Sequence, residues 1–188
     1  LCHTDLIKDD SRMKKSLTHL ACSEYDLPAI GKTCFLTYTD AQDSVSEGVR
    51  DNDRVLDNLQ LAIKLLADLP GSIIDLGANI GTFSIPLLKA HRCRSILVEA
   101  LPSNCLLLKA ALAINDIADA TVLNVAVLDK NGMVHMAGES AYGRVSNDEQ
   151  LPAVKCQTID SICHEPHFGD TVLLKMDVEG SELKALDS

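Results

Sequence analysis

Tryptophan is absent from this 188-residue chain, and aromatic residues make up only 3% of it. A core without large rings must be filled by Leu, Ile, Val and Ala. The hydrophobic fraction of 46% suffices for that and is too high for a disordered chain. Basic residues are scarce: 17 Lys and Arg against 27 Asp and Glu leave a formal net charge of −10. Holding a phosphate backbone takes clustered Lys and Arg, so nucleic acid is not the expected partner. No apolar run approaches the ~18–20 residues of a membrane-spanning helix, so no membrane segment is expected in this chain. The seven cysteines, Cys2, Cys22, Cys34, Cys93, Cys105, Cys156 and Cys163, include no CxxC pair. Their scatter reads as free, mostly buried thiols, neither a zinc site nor a disulfide scaffold. The Cys2-His3…His19…Cys22 segment has ligand-type residues, but they lie among charges that read as a solvated helix or tail, so no metal is expected.

Composition shifts near residue 70, from polar and punctuated sequence to short apolar runs alternating with helical stretches. Before the shift, Thr33–Thr39 reads as a strand. Val55, Leu59, Ala62, Ile63, Leu66 and Leu69 fall at helical spacing, predicting one amphipathic helix over about 47–68 that ends at Pro70-Gly71. After it, Ser72–Leu76, Ser95–Glu99, Thr121–Val127 and Thr171–Asp177 read as four buried parallel-type strands. Helices are predicted over Thr82–Ala90, over Pro102 to about Ile114 and from Ser181. Met133–Met136 and Val154–Thr158 read as further short strands, Ile159–Cys163 as a short helix, and 137–150 as a polar loop. Strands alternating with helices predict an α/β fold with a doubly wound parallel sheet. In such sheets ligands sit at the carboxyl ends of the strands, where the strand order reverses.

Polar signals fall at those strand ends. Asp75-Leu-Gly77-Ala-Asn79-Ile-Gly81 follows the first buried strand, where glycines permit a tight turn with the next helix's N–H groups facing a ligand. The second and third glycines of a dinucleotide fingerprint are replaced by Asn79 and Thr82, which disfavours a pyrophosphate. Glu99 ends the second strand, where a carboxylate can accept both hydroxyls of a ribose. An adenosine-type cofactor without pyrophosphate, S-adenosylmethionine, fits both signals. Lys175-Met-Asp177-Val-Glu179-Gly180-Ser-Glu182 ends the fourth strand, and strand periodicity would aim Lys175, Asp177 and Glu179 the same way. Glu182, at a helix start, suits the helix dipole.

The Asp75–Gly81 turn, the Glu99-Ala-Leu-Pro-Ser-Asn104 stretch, Thr158-Ile-Asp160 and Leu174–Glu182 together resemble the FkbM-type methyltransferase family over about residues 50–188. The resemblance implies a Rossmann-like class I, S-adenosylmethionine-dependent enzyme that methylates hydroxyls of sugars or other small molecules. It implies that Asp75, Gly77, Asn79 and Gly81 contact the cofactor, with Glu99 on its ribose and Asn124 and Ala126 near its adenine. Asp177 and Glu179 would face the methyl group and the acceptor. The Glu99-Ala-Leu-Pro102 stretch departs from the family's usual Glu-Pro but keeps the carboxylate. The expected organisation is an N-terminal polar or mixed segment, 1–46, and a methyltransferase domain, 47–188, truncated after its fourth core strand.

A hydroxyl is a poor nucleophile at neutral pH, so a base is expected. Asp177 or Glu179 is the expected base, with Lys175 orienting one of them; His135, His164 and His167 stand behind them. The expected partner is a small hydroxylated acceptor, with Tyr142, Arg144 and Asn147 of the Gly138–Gln150 loop on its side. A non-catalytic binding module is the competing reading.

Overall fold

The computed structural model describes residues 20–27, 30–39, 43–51, 59–67, 71–138, 143–164 and 172–187. Strands β1 (Leu20–Leu27) and β2 (Gly31–Tyr38) form an antiparallel hairpin. Helices α1 (Ser44–Arg50) and α2 (Leu59–Ala67) follow. Next come β3 (Ser72–Leu76), α3 (Ser84–Ala90), β4 (Ser95–Val98), α4 (Pro102–Ile114) and β5 (Ala120–Leu123). The chain continues through β6 (Ala126–Val127), β7 (Gly132–Ala137), β8 (Arg144–Ser146), β9 (Ala153–Gln157), α5 (Ile159–Cys163), β10 (Val172–Met176) and α6 (Glu182–Leu186).

The central sheet is parallel, in the order β10-β3-β4-β5. All five residues of β3 and all four of β4 are buried, which is why they read as unbroken apolar runs rather than alternating ones. One face, through Ile73 and Leu97, packs on a cluster that includes Phe35, Val49, Leu66, Ile85 and Leu108, from the hairpin and helices α1 to α4. The opposite face, through Ile74, Leu76, Ile96 and Val98, packs on Ile162 of α5 and Ala185 of α6. Helices thus cover both faces, the doubly wound arrangement expected. The chain runs outward from β3 through β4 to β5, then returns to place β10 on the other side of β3. The order therefore reverses between β3 and β10, and a crevice opens beyond their carboxyl ends.

Several local expectations are corrected. Leu20–Leu27 is a strand, paired from Leu20↔Tyr38 to Leu27↔Gly31, so Cys22 lies in a sheet and not in a tail. The described part of the helix expected over 47–68 is two pieces: α1 starts earlier, capped by Asp43, and reaches its C-cap at Asp51, while residues 52–58 lie outside the described residues. Thr121–Val127 is two strands in different sheets, split at Asn124, whose side-chain amide donates to the carbonyls of Glu99 (2.9 Å) and Ala100 (2.8 Å). Strand β6 belongs to a second, mixed sheet of order β6-β9-β7-β8, and β8 lies within the stretch read as polar loop. Among the described residues six cysteines are free, and of these only Cys105 and Cys156 are buried. Cys2, His3 and His19 lie outside the described residues, and no His, Cys, Asp or Glu group among the described residues could hold a metal.

Candidate functional site

A cleft of about 310 Å³ opens at the point of order reversal. Gly77, Asn79, Glu99, Ala126, Lys175, Asp177 and Glu179 all line it, bringing together strand ends far apart in the sequence. Asp75, Gly81 and Asn124 do not line it.

Asp75 has no exposed surface. Being second to last in β3, it shares the face of Ile73 and points among α3 and its neighbours rather than out of the strand end. There the Ser84 hydroxyl donates to its Oδ2, and Lys175 Nζ stands 2.9 Å from its Oδ1. Asp75 therefore shapes the site from behind. The same pairing corrects Lys175: the parallel register sets Lys175 opposite Asp75, so its partner is neither Asp177 nor Glu179. Its ammonium also donates to the Gly77 carbonyl at 2.8 Å.

Gly77 is a point of close approach. It has φ +82°, and a Cβ there would lie 1.8 Å from the Asp177 carbonyl oxygen. The β3 turn and the end of β10 thus touch backbone to backbone, as Asp177 N–H donates to Leu76 O at 2.9 Å. At Gly81 a Cβ would meet Ile85 and Leu108 side chains, so its smallness serves helix packing.

The N–H groups of the turn itself are spent within the protein. Gly77 and Ala78 both donate to Val98 O, Asn79 donates to Glu99 Oε2, Ile80 to Asn79 Oδ1, and Gly81 to Ala78 O. Glu99 is 7% exposed, and its Oε1 accepts from Leu101 N–H at 2.8 Å. Burial raises its pKa above the ordinary 4.5, against hydrogen bonds from Leu101, Asn79 and Asn104 and the charge of Lys175, which lower it. Each oxygen keeps acceptor capacity beyond its one backbone donor. Val98, Val125, Ala126 and Val127 line the same cleft as an apolar surface. A carboxylate beside an apolar shelf fits the hydroxyls and flat base of an adenosyl group.

Asp177 and Glu179 are exposed in the cleft lining. They do not share a strand face, because β10 ends at Met176 and Glu179 is left-handed, with φ 51°. The tight turn is held by Glu182, whose Oε1 accepts from Val178 N–H at 3.0 Å. Hydrogen bonds from its own N–H and those of Val178 and Gly180 hold the Glu182 carboxyl below its ordinary pKa. His135 and His164 rest on the carbonyls of Leu151 and Asp160 and do not line the cleft; His167 and Tyr142 lie outside the described residues.

Sequence reasoning missed the part of the cleft wall formed by Ser44 and Val45 of α1, Met136 of β7 and Val145 of β8. A signal existed for α1: Asp43 accepts from Val45 and Ser46 N–H as a helix cap, and Asp-Ser-Val-Ser-Glu47 is an N-terminal signature. The expected boundary after residue 46 falls inside this helix. The hairpin also reaches the site, since Tyr38 OH donates to Asn104 Oδ1 at 3.3 Å and Asn104 bonds Glu99.

A doubly wound α/β domain with an acidic, glycine-turned cleft at its order reversal defines a class of proteins that bind nucleoside-like ligands. Residues 75–188 match the Methyltransferase FkbM domain, and the chain belongs to that family. Class I methyltransferases draw the methyl group from S-adenosylmethionine, the cofactor of this family. Comparison with curated proteins gives no match. Similar solved structures include a T. thermophilus 16S rRNA methyltransferase in complex with AdoMet and guanosine, at 16% identity and TM-score 0.41, covering 57% of this chain and 28% of that one. Another is M. jannaschii TYW2 in complex with AdoMet, at 16% identity and TM-score 0.38, covering 57% of this chain and 47% of that one. The match thus spans less than half the length of either protein.

Proposed function

We propose that this chain carries an S-adenosylmethionine-dependent O-methyltransferase site acting on a hydroxyl of a sugar or another small molecule. The observation that carries this reading is one cleft lined by Glu99 and the Gly77–Asn79 turn together with the exposed residues Asp177 and Glu179. In this reading Glu99 accepts the ribose hydroxyls, and Val98, Val125, Ala126 and Val127 cover the adenine. The cofactor supplies an electrophilic methyl carbon on a sulfonium. Asp177 or Glu179 would take the proton of an acceptor hydroxyl positioned for in-line attack on that carbon, with S-adenosylhomocysteine as the group that would leave. Three carboxylates against one lysine among the charged lining residues favour a neutral acceptor over a phosphorylated one.

Transfer of a labelled methyl group to a panel of hydroxylated acceptors, with RNA as a parallel arm, tests the reading. Labelling of a neutral hydroxylated compound, lost in Asp177→Asn or Glu179→Gln, is the expected result. Labelling of RNA alone contradicts the acceptor class. Cofactor binding without transfer to any acceptor identifies a binding module instead.

A further inference from the structure

Resting on that reading of the cleft, we infer that Lys175 holds the carboxylate of the cofactor's amino acid end, making it a binding residue in its own right. Two independent observations lead there. The first is that the glycine turn cannot serve the anion. The backbone N–H donors of residues 77–81 are all committed to Val98, Glu99, Asn79 and Ala78, so the turn itself offers an anion none.

The second observation is the charge inventory of the cleft. Its charged lining residues among those described are Glu99, Asp177, Glu179 and Lys175. A sulfonium and an ammonium suit three carboxylates, whereas a carboxylate in that setting has a single cation to approach. Lys175 is placed for it. An ammonium carries three donors; this one donates to Gly77 O and stands 2.9 Å from Asp75 Oδ1 as an ion pair, and the side chain keeps 23% of its surface while lining the cleft. Donor capacity therefore remains for a carboxylate in the cleft. Asp75 and Gly77 O also anchor Nζ, so little side-chain freedom remains to be lost on binding. Lys175 is thereby assigned to the methionine carboxylate, while Asp177 and Glu179 remain on the acceptor side.

The test is a binding cycle by calorimetry on the 188-residue chain, using S-adenosylmethionine, its decarboxylated analogue and 5′-methylthioadenosine, which lacks the amino acid end. Wild type should prefer S-adenosylmethionine to the decarboxylated analogue by on the order of 10-fold, the scale of one charge-assisted hydrogen bond. Lys175→Gln should erase that preference and leave methylthioadenosine affinity unchanged, and Lys175→Arg should keep the preference. Equal wild-type affinity for the two amino-acid-bearing ligands overturns the assignment, and does so without any variant. Equal weakening of all three ligands in Lys175→Gln also overturns it, since that pattern marks a lysine that only supports the turn. If wild type binds none of the three, the reading of the cleft fails, and the assignment fails with it.

Discussion

Replacing Gly77 with Ala separates two costs that are usually confounded. A positive φ at a residue with a Cβ costs about 1–2 kcal/mol. Gly77 has φ +82°, and its added Cβ would also stand 1.8 Å from the Asp177 carbonyl oxygen, a backbone atom with no rotamer to turn away. Restoring van der Waals contact requires the turn and the end of β10 to part by about 1.5 Å. Two hydrogen bonds span that junction, Asp177 N–H to Leu76 O at 2.9 Å and Lys175 Nζ to Gly77 O at 2.8 Å. Losing a neutral bond costs about 1 kcal/mol and a charge-assisted one about 1.5–3 kcal/mol. The sum is about 3.5–6 kcal/mol, a large share of the roughly 5–15 kcal/mol that holds a domain folded. Gly180 is the control: its φ is +91°, but a Cβ there meets nothing within 4 Å. Urea denaturation should therefore give about 1–2 kcal/mol for Gly180→Ala and at least about 2 kcal/mol more for Gly77→Ala. Equal losses in the two variants would refute the claim that the β3 turn and the β10 end are locked backbone to backbone.

Three further outcomes follow from the site. Asp75→Ala strips the ion pair from Lys175 and the acceptor from Ser84, and should weaken cofactor binding in calorimetry although Asp75 has no exposed surface; unchanged affinity contradicts the network. Because burial raises the Glu99 pKa above 4.5, its folded form holds more protons than the unfolded chain between 4.5 and the raised value. Its contribution to stability is then full below 4.5 and is lost as pH rises through the folded pKa. Urea midpoints of wild type relative to Glu99→Gln should rise as pH falls through that window, and a flat difference contradicts it. Cys105 is buried, and desolvation first, then the charge of Glu99, pushes its thiol up to about 12. Native thiol labelling should therefore mark exposed Cys22 and Cys163 and spare Cys105 until denaturant is added.

The legible parts of this chain are those whose environment is local. Strands β3 and β4 are buried on both faces, so Ser-Ile-Ile-Asp-Leu and Ser-Ile-Leu-Val read directly as inner strands. Helix α4 runs from Pro102 to Ile114 as expected, with its proline in the first turn. Strand β1 escaped because it is only partly buried and carries Ser23, Glu24 and Asp26 among its eight residues. Thr121–Val127 reads as continuous because nothing local shows that Asn124 will bond to the Glu99 and Ala100 carbonyls and leave the sheet. In the site, Gly77, Asn79 and Glu99 were legible from their places at strand ends. The partner of Lys175 was not, because it depends on the register of β10 against β3, strands about a hundred residues apart. The period-2 rule also failed at Glu179, where the backbone had left the strand for a left-handed turn.

The central claim is that the cleft between β3, β4 and β10 binds S-adenosylmethionine through Glu99, and titration calorimetry tests it directly. The account predicts saturable one-site binding to the wild-type chain, weakened by on the order of 10-fold or more in Glu99→Gln, where one acceptor oxygen becomes a donor. No binding by the folded wild type, or the same affinity in both proteins, would contradict it.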